Sequence, residues 1–198
     1  MLEKFVEQLV ATSWVEWLGM VTGILGVWLS IKEKVTAWPF FIACYGCYVY
    51  ISLDFNLHAF MVMNLAFIGV SAYGWINWGR VSIGEALPIR KSTRGELLRI
   101  AVFLVGFTFA MGYFLGKGGE SALPYLDAFA ATTAFAAQWM LSRKQIETWL
   151  LWLVSDFVYL GIFFQNQAWP SVLLFAVFIG LAIKGWRDWK LELESSYT

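Results

Sequence analysis

The sequence predicts an all-α integral membrane protein: seven transmembrane helices arranged as two parallel three-helix repeats plus a linker helix, in the order 3+1+3. Three observations carry that prediction. Hydrophobic residues make up 60% of the 198-residue chain and charged residues 14%, against roughly 25% charged in soluble domains. Seven apolar stretches follow one another, separated by polar segments. The chain also repeats itself without a gap at an offset of 111 residues.

Taken in order, residues 1–13 read as a short amphipathic lead-in lying at the membrane surface. No cleavable signal peptide is expected, because no basic-then-apolar pattern and no small-residue cleavage site precede Trp14. The expected spans are residues 14–31, 38–53, 58–78, 98–116, 126–142, 149–164 and 170–186. Several fall short of the ideal of about 20 residues, which interior packing or local thinning accommodates. Pro39, Pro124 and Pro170 stand at or just before span starts, where a missing N–H does no harm. The organisation is then a first bundle over 14–80, a loop over 81–97, the linker helix 98–116, a second bundle over 124–190 and a tail over 191–198.

The charges give an orientation. Lys32, Lys34, Arg80, Arg90, Lys91, Arg94, Arg99, Arg143, Lys144, Lys184, Arg187 and Lys190 fall on one side, leaving only Lys4 and Lys117 of the 14 basic residues opposite. The positive-inside rule places the N-terminus outside and the C-terminus in the cytoplasm. The loop around 81–95 is then cytoplasmic and basic, suited to setting topology and meeting anionic lipid. Twelve Trp suit interfacial aromatic belts, and a formal charge of zero points to no nucleic acid or acidic partner.

At the offset of 111, Glu16 meets Asp127, Trp28 meets Trp139, Lys32 meets Arg143, Trp38 meets Trp149 and Tyr48 meets Tyr159. Gly74-Trp75-Ile-Asn-Trp78 meets Gly185-Trp186-Arg-Asp-Trp189. Three spans plus one linker separate the units, so both enter the membrane from the same side, and a ligand is expected at their interface near mid-membrane. The halves differ where Asp156 meets Tyr45 and Asn64 meets Phe175, as an asymmetric ligand would require.

The focus of the second repeat is the stretch 149–164. Trp152, Asp156 and Tyr159 are four and three residues apart and share one helix face. An ionisable group at that depth costs roughly 2.5–3.5 kcal/mol on insertion scales, so it faces the interior or a watery cavity. A carboxylate bracketed by aromatic rings can cradle a flat organic cation; the competing reading bonds Asp156 to Ser, Thr or Asn side chains of neighbouring helices. Asn64 either hydrogen-bonds a ligand or pins two helices together. Gln138 is a candidate polar contact, and Tyr48 and Tyr159 are cavity-lining, gating or belt residues. Glu16 and Asp127 stand near helix N-termini, where the dipole favours a carboxylate, and do either structural or gating work. The GWxxW endings are expected to anchor at the interface, with Gly74 and Gly185 allowing close helix approach.

No catalytic constellation, cofactor motif or metal-ligand spacing appears. His58 stands alone at an outer loop, and Cys44 and Cys47 read as small packing residues despite their CxxC spacing. An intramembrane enzyme or receptor is thereby disfavoured against a carrier.

These features together resemble the PnuC family of bacterial vitamin transporters over about residues 15–189. The residues that carry the resemblance are Glu16 with Gly19 and Gly23, Leu57-His-Ala59 leading to Asn64, and Tyr73-Gly74-Trp75-Ile-Asn-Trp78. In the second half they are Asp127, Arg143-Lys144, and Trp149-Leu-Leu-Trp152 running into Asp156. The resemblance implies a fold similar to SWEET sugar transporters in the bacterial cytoplasmic membrane, as a homotrimer. It also implies facilitated diffusion of a vitamin by alternating access, with trapping by a cytoplasmic vitamin kinase and no cofactor. Family members take nicotinamide riboside, and relatives take thiamine or riboflavin. The nicotinamide riboside pattern has Gln where this chain has Asn64, and Asn where it has Asp156, while Trp152 is kept. A shorter amide and a carboxylate suit the pyrimidine amine of thiamine. The resemblance therefore leans to the thiamine-transporting PnuT branch, with nicotinamide riboside as the alternative. Trp152 and Tyr159 would stack on the ligand, Asp156 would hold its charged or amine-bearing part, and Asn64 would orient it.

Overall fold

The computed structural model describes residues 2–54, 58–80, 87–119 and 121–195. Within them it forms eight helices and no strand: α1 (Leu2–Ala11), α2 (Trp14–Ile31), α3 (Ala37–Asp54), α4 (His58–Gly79), α5 (Arg94–Gly118), α6 (Pro124–Ser142), α7 (Thr148–Gln165) and α8 (Trp169–Ser195). Residues 55–57, with the expected Leu57, residues 81–86 of the basic loop, and 196–198 of the tail lie outside the described residues.

Helix starts follow local chemistry. Ser13 and Glu16 form a capping box on α2: the Glu16 N–H donates to Ser13 Oγ at 3.2 Å, and Ser13 N–H donates to Glu16 Oε2 at 2.7 Å. Thr93 and Glu96 repeat that device on α5, so α5 begins four residues before the expected span, inside the segment read as loop. Pro124 occupies the first turn of α6, where its missing N–H is free of cost. The α1 helix docks on the α7–α8 turn, with Gln8 Nε2 donating to the Gln167 carbonyl at 2.9 Å and the Trp169 N–H donating to Gln8 Oε1 at 3.0 Å.

Five of the helices, α2, α4, α5, α7 and α8, contain stretches long and apolar enough to cross a membrane. The two others expected to span differ for physical reasons. The apolar part of α3, Ala37–Leu53, is shorter. In α6 the sequence is Ala- and Thr-rich, with Ala128, Ala130, Ala131, Ala134, Ala136 and Ala137 all buried. That helix meets protein along much of its length, so it does not need the hydropathy of a lipid-facing segment.

Packing follows the repeat. The bounds of α7 are those of α3 moved by 111 residues, and α8 starts where α4 does after the same shift. Contacts run α2–α3, α3–α4, α4–α6, α6–α7, α7–α8 and α8–α2, a closed circuit of six helices; α5 packs on α6 from outside. Trp38, Trp78, Trp149 and Trp189 are fully buried at one end of the circuit. Trp38 meets Trp78 edge-on at 5.2 Å between centroids, and Trp149 meets Trp189 in the same way at 5.2 Å. Trp78 and Trp189, 6.4 Å apart, join the two pairs. The second indole of each GWxxW motif is thus core and not an interfacial anchor, because Gly74 and Gly185 leave room for the rings of Trp38 and Trp149. Trp75 remains exposed.

Part of the basic side is self-paired where it is described. Arg90 makes two hydrogen bonds with the Glu96 carboxylate, at 2.7 and 2.9 Å, which hold its proton more tightly than usual. Its backbone bridges to the α6–α7 turn, accepting from the Ile146 N–H and donating to the Lys144 carbonyl, each at 3.0 Å. Ser92 caps the arrangement, donating from N–H and Oγ to Glu147. Of the loop charges expected to meet lipid, Arg90 is thus committed to protein partners.

Candidate functional site

The circuit encloses a cavity of about 290 Å³, at the small end of the range for ligand pockets. All six helices contribute. From α2 come Glu16, Gly19, Met20, Gly23 and Val27, and from α3 Phe41, Cys44, Tyr45 and Tyr48. The α4 helix gives Phe60, Asn64 and Phe67, and α6 gives only Ala134. The α7 wall is the richest, with Trp149, Trp152, Ser155, Asp156, Tyr159 and Phe163; α8 adds Ser171, Leu174, Phe175, Phe178 and Ala182.

The residues singled out in the sequence divide clearly. Asp156, Trp152, Asn64, Tyr159, Tyr48 and Glu16 come together on this cavity. The shared face of Trp152, Asp156 and Tyr159 follows from their spacing on α7. Asp156 is 3% exposed, and its carboxyl makes no hydrogen bond or ion pair among the described residues. The competing reading, in which Ser, Thr or Asn satisfies it, finds no such bond here. Ser155 beside it is already committed, donating from Oγ to the Ala130 carbonyl of α6 at 2.9 Å. Asn64 is 4% exposed, and its Nδ2 donates to the Phe60 carbonyl one turn back at 2.8 Å, which leaves its oxygen free of a described partner.

Two expected residues are elsewhere. Gln138 is fully buried between α6 and α4, where its Nε2 donates to Ser71 Oγ at 3.1 Å. It does not line the cavity and ties two helices together instead. Asp127 accepts from Ser121 Oγ beside the start of α6 and is likewise away from the cavity. Glu16 serves both settings, capping α2 and lining the cavity.

Sequence reasoning missed Tyr45, Phe67 and the cavity-lining position of Cys44. Tyr45 stacks on Phe67 at 4.7 Å and lies near Phe41 at 6.3 Å. The offset that pairs it with Asp156 was the available signal. On the other side, Tyr159 packs on Phe175 at 5.1 Å and Phe163 at 6.1 Å. The cavity is therefore an aromatic chamber with one unpaired buried carboxyl. It suits a flat molecule bearing positive charge, held by ring faces and a counter-ion.

Several apolar helices around a central chamber define a multi-pass membrane protein of carrier type. The profile of the family described as nicotinamide mononucleotide transporter matches residues 13–191. The chain belongs to that family, as the resemblance to PnuC implied. It is 26% identical over 191 residues to the nicotinamide riboside transporter PnuC of Neisseria mucosa, covering 89% of this chain and 72% of that protein. It is 22% identical over 204 residues to the protein of the same name from Escherichia coli, covering 89% and 85%. The riboflavin/roseoflavin transporter RibM of Streptomyces davaonensis is 25% identical over 184 residues, covering 90% and 85%. In fold, the chain is similar to a crystal structure of the vitamin B3 transporter PnuC. The TM-score is 0.76 at 23% identity, with 98% of this chain and 88% of that one covered.

Proposed function

We propose that this protein carries nicotinamide riboside, a cationic pyridine nucleoside, across the membrane by facilitated diffusion. The observation that carries the reading is Asp156, a buried carboxyl without a described protein partner in a chamber lined by aromatic rings. A pyridinium ring supplies both the counter-charge and the face for stacking on Trp152 and Tyr159. Asn64 orients the ligand, and Tyr48 and Glu16 stand along its route. The relatives named above favour nicotinamide riboside over thiamine, the substrate favoured from the sequence alone. In this reading the Asn64 and Asp156 differences are tolerated variation and not a switch of specificity.

Riboflavin is the second reading, supported by the similarity to RibM. A neutral tricyclic ring gains little from Asp156, and a chamber of about 290 Å³ suits one ring and a ribose better than three fused rings and a ribityl chain.

The same reading takes the chain as seven spans in the order 3+1+3, with the N-terminus outside and the C-terminus in the cytoplasm. The two bundles rock about the site, the protein assembles as a homotrimer, and a cytoplasmic kinase traps the product. Titration of the purified protein with nicotinamide riboside, thiamine and riboflavin, followed by tryptophan fluorescence and calorimetry, tests the substrate. Saturable binding of nicotinamide riboside is expected, with uptake into proteoliposomes lacking any ion gradient. Binding of thiamine alone would overturn the assignment.

A further inference from the structure

The polar groups of the chamber are not spread evenly around it. From α2 and α8 the lining offers few side-chain hydrogen bonds, Glu16 and Ser171 in the first turns being the exceptions. The other four helices add further polar side chains, among them Asp156 on α7, Asn64 on α4 and Tyr45 on α3. Tyr45 and Asp156 occupy the same place in the two repeats, on helices that are not successive in the circuit. They are opposed walls of one chamber, one ending in a carboxyl and the other in a phenol.

The ring of Tyr45 is held firmly. It stacks on Phe67 at 4.7 Å with planes 15° apart, and on Phe41 at 6.3 Å with planes 17° apart. Two near-parallel neighbours fix the plane of the ring and so the position of its oxygen. The hydroxyl nonetheless has no hydrogen-bond partner among the described residues, although Tyr45 lines the chamber and packs against buried core residues. Buried Tyr hydroxyls usually find a partner. One that is held in place and left unpaired is preorganised for a group that arrives later. Asn64, on the helix that carries Phe67, presents its free carbonyl oxygen to the same chamber.

We infer that the Tyr45 hydroxyl is a specificity-determining contact, which together with Asn64 reads the hydroxyl-bearing arm of the ligand opposite the charge held by Asp156. A phenol both donates and accepts, and the amide oxygen accepts, which matches neighbouring hydroxyls on a sugar. This inference rests on the cationic-nucleoside reading above and adds the part of the molecule that the carboxylate cannot distinguish.

Tyr45→Phe removes the oxygen and keeps the stack. Binding is measured for nicotinamide riboside and for 1-methylnicotinamide, which keeps the cationic ring and carboxamide but lacks the ribose. Wild-type protein is expected to prefer the riboside. In Tyr45→Phe the riboside weakens about tenfold, the scale of one lost hydrogen bond, while 1-methylnicotinamide stays within about twofold and the melting temperature is kept. An unchanged riboside affinity, or an equal loss for both ligands, overturns the role of Tyr45. Asp156→Leu, measured in parallel, separates the two levels. If it leaves both ligands unaffected, the cationic-site reading fails and the Tyr45 inference falls with it. If it weakens both while Tyr45→Phe weakens neither, only the Tyr45 inference fails.

Discussion

Glu33 and Lys144 occupy the same position in the two repeats, and they pair with each other: Lys144 Nζ lies 2.7 Å from Glu33 Oε2. Both sit in the left-handed backbone region, Glu33 at φ 54° and Lys144 at φ 50°, so each turn between the first two helices of a repeat has the same backbone form. The repeat thus supplies one geometry twice, and a difference in charge at one position joins the halves. Trp189 Nε1 donates to the Ile31 carbonyl at 3.1 Å, and Asn77 Nδ2 donates to the Ser142 carbonyl at 2.8 Å, at the same end. With the four buried indoles beneath, this end of the chamber is closed.

The ion pair is asymmetric in burial. The Lys144 side chain is 7% exposed and that of Glu33 is 32% exposed, so Glu33→Gln takes the counter-charge from a buried ammonium and leaves it an amide oxygen and the Trp78 ring 5.0 Å away, whereas Lys144→Met leaves a carboxylate that water can reach. Glu33→Gln is expected to cost about 1–3 kcal/mol, below the roughly 3–5 kcal/mol of a fully broken buried pair because the Gln oxygen still accepts and the Trp78 ring remains, and Lys144→Met less. Thermal melts in detergent decide between them, and equal losses would contradict the asymmetry.

A methyl group at Gly185 would lie 2.6 Å from the ring of Trp149. The indole is rigid and fully buried, so it cannot yield as a flexible side chain would. Gly185→Ala should lower stability by about 1–3 kcal/mol, the range for overpacking. Trp149→Leu combined with Gly185→Ala should cost less than the sum of the two single changes, because the clash is gone. Strict additivity in the melts would show that the ring is not what the methyl meets.

These two sites also show how far the sequence could be read. The offset of 111 residues located the helices of each repeat and paired Gly74 with Gly185, because repetition records architecture directly. Which way Trp78 and Trp189 face was not recorded, since a Trp near a helix end serves an interfacial belt and a core equally well. On α7 the spacing of Trp152, Asp156 and Tyr159 fixed a shared face, and a single carboxylate said which way that face must look. Tyr45 carried no such mark: a membrane helix tolerates Tyr in several settings, and only its pairing with Asp156 drew attention to it. The facing of Gln138 was not legible, because α6 is Ala-rich on several faces. Depth along such a helix can be read from sequence, but rotation cannot.

An unpaired carboxyl in an apolar chamber is costly while the site is empty. Asp156→Leu, which removes every polar atom where the nicotinamide riboside pattern keeps an Asn, should therefore leave the ligand-free protein as stable or more stable, and at the same time weaken nicotinamide riboside by roughly ten- to a hundredfold, the scale of a lost contact to a charged group. Such opposed changes mark a residue kept for binding. Melting curves without ligand and a calorimetric titration with it supply both readings. A destabilised empty protein with unchanged affinity would return Asp156 to a structural role.

Gln138 provides the contrasting case. Its Nε2 is bonded to Ser71 Oγ at 3.1 Å across the α4–α6 contact, and its Oε1 has no partner among the described residues. Ser71→Ala removes the acceptor and leaves a buried amide N–H unsatisfied, which should cost about 1–3 kcal/mol. Adding Gln138→Met, which has similar volume and no donor, should recover much of that loss, because removing both partners of a buried pair is far cheaper than removing one. Nicotinamide riboside affinity should stay within about twofold throughout, since Gln138 does not line the chamber. If Gln138→Met alone abolished binding while the melting temperature held, Gln138 would have to reach the ligand, and the chamber would extend past Ala134 through the wall formed by α6.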